Sequence, residues 1–175
     1  MQNLDRSAIL RGAEEAFYKA MIDGYAAAES KTSSKMTTNG GCTKSITFQY
    51  GGYTVIDTWH TNPGSNRSTG STLITHAGMP VWSMCYGGWY PDNVIEFLKE
   101  SLMISYGTSK FTGCRGRQIH ERWVEGVDSH WLTYSNVWSG SFENFHGNEF
   151  IYSRHAGANT NNTIGQHQYF GYALI

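Results

Sequence analysis

The sequence predicts an α+β fold: an antiparallel, strongly curved β-sheet of about seven to eight strands built from hairpins, with an N-terminal helix and a central helix packed on it. Three observations carry this expectation. Apolar residues recur at helical spacing in two stretches, residues 5–29 and 92–104. Elsewhere apolar and polar residues alternate with period two between short turns rich in Gly and Asn. Strands joined by such turns pair antiparallel, and two helices suffice to cover one face of the sheet they make.

In the first helix Ile9, Ala13, Ala16, Phe17, Ala20, Met21 and Tyr25 form one stripe, with Arg11, Glu14, Glu15 and Lys19 away from it. Residues 30–41 are polar, contain Asn39-Gly40-Gly41 and read as a loop. Ile46, Phe48 and Tyr50, then Tyr53, Val55, Asp57 and Trp59, alternate about the turn Gly51-Gly52. Residues 61–70 have the composition of an exposed loop. A second hairpin, 71–76 with 79–86, turns at Ala77-Gly78 and has Pro80 near a strand start or on an edge, so hairpins fill 45–86. Asn93, with Glu96 three residues on, is expected to cap the central helix, which buries Val94, Phe97, Leu98, Ser101 and Leu102 and stops at Gly107. The C-terminal hairpins of 117–175 comprise strands near 117–125, 129–138, 141–153 and 166–174. Their connections are Gly126-Val127-Asp128, Ser139-Gly140 and the loop 156–165. At 175 residues one domain, 1–175, is expected.

Charged residues make up only 15% of the chain and the net charge is -1, which argues against a role in neutralising phosphates; nucleic acid is not an expected partner. Three cysteines, Cys42, Cys85 and Cys114, lack a C-x-x-C pair and read as free thiols, with no zinc ribbon or disulfide framework. No apolar leader follows Met1 and no apolar run approaches a membrane span, so a cytoplasmic protein with no membrane partner is expected.

Gly78-Met79-Pro80-Val81-Trp82-Ser83-Met84-Cys85-Tyr86-Gly87-Gly88 followed by Phe97-Leu98-Lys99-Glu100-Ser101-Leu102 resembles an uncharacterised prokaryotic domain family in which a GKPVW-x-M-x-Y-x-G strand precedes an FLxEAL helix. Glu15-Ala16-Phe17-Tyr18-Lys19-Ala20 is similar to that family's first helix, and the run from Gly140 to Glu149 to its G-x-F-x-x-F-x-G-x-E strand. Tyr169-Phe170-Gly171-Tyr172 stands where the family has YHGG. Some members follow helix-turn-helix segments in regulators, which suggests a bacterial sensing domain, but this chain shows no such segment and the resemblance implies a fold more than an activity.

Period two places Asp57 with Trp59, Trp82 with Met84 and Tyr86, and Trp131 with Thr133 and Ser135. Faces of this kind either form core under the helices or wall an aromatic pocket with a carboxylate, suited to a flat or sugar-like ligand. His146 and Glu149, three apart on a strand, point to opposite faces unless Gly147 marks a bulge, and no H-x-H or H-E-x-x-H occurs, so neither a metal nor another cofactor is expected. Cys85 reads as core. Cys114 reads as a partly exposed loop thiol whose neighbours Arg115 and Arg117 favour thiolate, the basis of a cysteine–histidine alternative. Lys110, Arg115, Arg117 and Arg122 form the concentration of positive charge, read as a solvated loop or an anion site.

The leading reading is a small-molecule binding or sensing domain. Its candidate ligand-binding residues are Asp57, Trp59, Trp82, Tyr86, Arg115, Trp131 and Glu143, and its partner is an unidentified small molecule. One alternative is a hydrolase on a nucleotide or sugar-like substrate, with Asp57, Glu143 or His146 as acid or base. The other is an interaction module whose aromatic face forms a homodimer or meets another partner. Whether the chain is an enzyme stays open on the residues alone.

Overall fold

A computed structural model describes residues 5–26, 33–126, 129–155, 157 and 160–175. The expected helix residues 27–29, the turn residues Val127 and Asp128, and the loop residues Ala156, Ala158 and Asn159 lie outside the described residues. The fold is α+β. Helix α1 (Arg6–Ala20) continues into a short π-helical stretch (Met21–Ala26), and α2 (Ile95–Tyr106) follows a 3-10 turn (Asp92–Val94). Nine strands make one antiparallel sheet: β1 (Ser33–Thr38), β2 (Thr43–Tyr50), β3 (Tyr53–Asn62), β4 (Ser65–His76), β5 (Met79–Trp89), β6 (Ile119–Val124), β7 (His130–Ser141), β8 (Asn144–His155) and β9 (Asn162–Ala173). Their order is β1-β2-β3-β4-β5-β9-β8-β7-β6.

Two expectations about the sheet are corrected. It is open, ending at β1 and β6, and is not strongly curled. It also has nine strands where seven to eight were expected, because the polar stretch Ser33–Thr38 is a strand and not part of a loop. An edge strand takes its hydrogen bonds from one neighbour, here β2, and needs no apolar face to do so. The polar segment 61–70 is strand as well, largely exposed: β3 and β4 meet at Pro63-Gly64, where Asn62 Oδ1 accepts from the Gly64 amide at 2.9 Å.

Two local expectations also fail. Asn93 does not cap α2: the preceding 3-10 turn supplies the entry, and neither Pro91 nor Val94 at the two N-cap positions makes a side-chain cap bond. The β7–β8 hairpin turns at Phe142-Glu143, not at Ser139-Gly140. That shift places Phe142 on Trp82, ring centroids 4.6 Å apart and nearly parallel.

The helices cover one face of the sheet. On it, Ala13, Ala16, Phe17 and Ala20 of α1 bury with Phe48, Val55, Ile74 and Trp82, while Val94, Phe97, Leu98, Ser101 and Leu102 are all buried as the α2 stripe requires. α1 lies on β2 to β5, and α2 reaches β7. The opposite face carries the exposed rings of Trp131, Phe170 and Tyr172. Among the described residues no helix is long and apolar enough to cross a membrane.

Candidate functional site

Between the inner face of the sheet and the helices lies a cavity of about 510 Å³. Its inner wall is set by period two: Asp57 and Trp59 from β3, Ser68 and Thr72 from β4, Met84 and Tyr86 from β5, His167 from β9. The helical side contributes Met21, Ile95, Leu98, Lys99 and Tyr106, and Arg115 enters from the loop after α2.

Two glycines let side chains cross the sheet. A Cβ on Gly70 would fall 2.5 Å from the Tyr86 ring, and one on Gly88 would fall 2.5 Å from His167 Cδ2. With nothing on those positions, Tyr86 of β5 lies across β4 and its hydroxyl donates to Asp57 of β3, at 3.1 Å from Oδ1. His167 of β9 crosses β5 in the same way, so that Nε2 meets Ser68 Oγ of β4 at 3.1 Å.

Asp57 is 3% exposed. Thr72 Oγ1 also donates to its Oδ1, at 2.7 Å. Burial pushes the carboxyl above the usual aspartate range, against the pull of these hydrogen bonds and of Arg115. Arg115 itself is committed elsewhere. Its guanidinium makes a two-pronged contact with Glu149, Nε to Oε2 at 3.0 Å and the second nitrogen to Oε1, and Tyr134 Oη donates to the same carboxylate at 2.6 Å. Although burial alone would raise it, these partners hold the Glu149 carboxyl below its ordinary range. Asn136 braces the loop, donating to the carbonyls of Thr112 and Gly116 at 2.8 Å each and accepting from Tyr169 Oη at 2.6 Å.

His167 Nδ1 lies 3.8 Å from Glu149 Oε1, and among the described residues it has no hydrogen-bond partner. Burial drops the imidazole pKa to about 4 despite the attraction of Glu149, so at neutral pH the ring is uncharged and this approach is not an ion pair. A group whose folded pKa lies below its ordinary 6.5 contributes fully above 6.5, and that contribution is lost as pH falls through about 4. The stability advantage of the wild type over His167→Gln should therefore shrink by something on the order of 3 kcal/mol between pH 7 and pH 4. Denaturant titrations of both proteins across that range check it.

The structure brings Asp57, Trp59, Tyr86 and Arg115 to one cavity and leaves the other three candidates outside it. Trp82 is fully buried core. Trp131 lies on the uncovered face, beside Trp123 with centroids 5.3 Å apart. Glu143 sits in the β7–β8 turn, exposed and paired with Arg6 at 3.0 Å. The cysteine readings reverse. Cys85 is exposed on the outer face, whereas Cys114 is buried, and burial together with Glu14 pushes its thiol well above the usual range in spite of Arg115. The basic cluster disperses, since Arg115 is held by Glu149 and Arg122 by Glu100 at 3.0 Å. His146 and Glu149 do face opposite sides, exposed and buried, as β8 is regular there. Among the described residues no three His, Cys, Asp or Glu side chains gather as a metal ion requires.

A protein-family profile, described as a domain of unknown function, DUF5680, matches residues 60–171, well over half of the chain. The chain belongs to the DUF5680 family. No curated protein and no solved structure matches it. The DUF5680 segment contains Tyr86, Arg115, Tyr134, Asn136, Glu149, His167 and Tyr169, hence the whole braced ion pair, while Asp57 and Trp59 lie on β3 just before the first matched residue. The sequence reading missed Glu149, Tyr134, Asn136 and His167. Their signal was strand register, which period two alone does not supply.

Proposed function

We propose that this DUF5680 chain binds a small molecule in the cavity floored by Asp57, with the rings of Trp59 and Tyr86 in its wall. The supporting observation is Asp57 itself. A buried carboxyl group whose side-chain partners among the described residues are two hydroxyl donors raises the free energy of the folded state when ionised, and a group kept in a cavity at such a cost is a functional-site candidate. The sign is definite. A carboxyl raised above its ordinary 3.8 favours folding most in acid, and its contribution is lost as pH rises through the folded value. Wherever the group is ionised it is a burden on the fold.

Asp57→Asn removes any charge while keeping the shape and the Oδ1 acceptor that Thr72 and Tyr86 use. Its melting temperature without ligand should rise by a few degrees, the shift that about 1 kcal/mol produces in a chain of this size. A melting screen of nucleotides, sugars and metal salts should find compounds that stabilise the wild type by about 2.7 kcal/mol at a hundred times Kd, and the variant should lose that response. A lower melting temperature for the variant, or no responding compound, overturns the proposal.

A second reading is a hydrolase. It is favoured by a carboxyl with raised pKa and a neutral imidazole lining the same cavity, the two kinds of group that acid–base chemistry needs. Turnover of a compound found in the screen, lost in His167→Gln but with binding retained, would select it.

A further inference from the structure

The geometry points to a ligand class: we infer that the cavity takes a flat heterocycle of the guanine or pterin kind, presenting two adjacent N–H donors to Asp57 and carrying an anionic group towards the rim. The inference rests on the small-molecule reading above and narrows it.

The floor specifies the donors. A carboxylate offers about four acceptor positions. Thr72 and Tyr86 supply one proton each, and the Tyr86 hydroxyl favours Oδ1 at 3.1 Å over Oδ2 at 3.3 Å. Asp57 thus keeps capacity for two more donors, mostly on Oδ2. Arg115 does not use it, since its two-pronged contact goes to Glu149. With Arg115 and Glu149 cancelling and His167 neutral, Asp57 is the group on the floor that stays open to donors from a ligand.

Among the described residues the rim leans to the opposite sign: Lys44 of β2 and Arg67 of β4 line the cavity and are exposed, against the acid Asp92. This polarity disfavours a polycation, which the rim would repel, and favours a molecule whose far end is a phosphate or carboxylate. Between floor and rim stand Trp59 and Tyr86, whose rings suit a planar body, and about 510 Å³ lies within the range of small-ligand sites. Adenine, with one donor beside one acceptor, would fill only one of the two open acceptor positions on Asp57.

The test is calorimetric titration of the full chain with GMP, guanosine, AMP and pterin carboxylate. GMP or pterin carboxylate should bind, and which of the two does so identifies the source of the shared edge. AMP and the uncharged guanosine should each bind at least tenfold more weakly. Asp57→Asn should erase the preference over AMP, and the double variant Lys44→Ala, Arg67→Ala, altered only at exposed side chains, should erase the preference over guanosine. Equal affinity for GMP and AMP, or no binding of either guanine or pterin compounds, overturns this inference. In that case a response of the wild type to another compound in the melting screen leaves the small-molecule reading standing, and silence across the whole screen removes both.

Discussion

Replacing Arg115 with methionine should destabilise the fold by about 3–5 kcal/mol, the usual cost of leaving one member of a buried ion pair alone. Glu149 is fully buried, and its remaining donor would be Tyr134. Packing loss is minor by comparison, because methionine fills much of the volume of the arginine stem. In a chain of this length the melting temperature should fall by roughly 10 °C. The loss should also shrink on acidification. Without Arg115 the Glu149 carboxyl titrates above its unfolded value, so the penalty is present above the folded pKa and absent below the unfolded one. Adding Glu149→Gln should restore most of the loss at neutral pH, since the stranded charge is the cause. A loss under about 1 kcal/mol in the single variant, within the range of an exposed ion pair, would contradict this account of the loop.

Trp82→Ala should cost a similar amount, about 3–5 kcal/mol, for a different reason. The indole is fully buried, stacks on Phe142, lies 5.5 Å from Phe17 and 5.8 Å from Phe145, and donates Nε1 to the Phe142 carbonyl at 2.7 Å. Truncation removes the partner of a buried carbonyl and opens a void where α1 meets the β7–β8 turn. Trp59→Ala should cost only about 1 kcal/mol, because that ring is partly exposed, yet it should weaken ligand binding while Trp82→Ala leaves it unchanged. Denaturant midpoints and titrations on the same two proteins separate the two roles.

That contrast marks what the amino-acid order makes legible. Both tryptophans lie on period-two strands beside acceptable partners, and pattern alone treats them alike. The two helices, the α2 stripe and most hairpins were legible because burial imposes a period on an element that has one dry face. Ser33–Thr38 escaped because an edge strand needs no dry face to impose one, and Ser65–Gly70 because its side chains are mostly exposed. Asp57, Trp59, Tyr86 and Arg115 were legible as candidates by residue type. Their meeting with His167 and Glu149 was not, since it depends on β9 inserting between β5 and β8 over a sequence separation of about eighty residues.

The place of β9 has a consequence for how the chain comes together. Strands β1 to β5 zip in order through neighbouring hairpins, and so do β6 to β8, but the two arrays share no ladder until β9 joins them. Such a joint between distant segments is the slow step in assembly. During synthesis residues 162–173 emerge after β1 to β8, and until then β5 and β8 each present a long unpaired border open to other chains. His167 arrives with that strand, so the cavity is completed in the same event that seals the sheet. A compound bound there would therefore act as a brake on the reopening of the seam, slowing unfolding far more than it speeds folding.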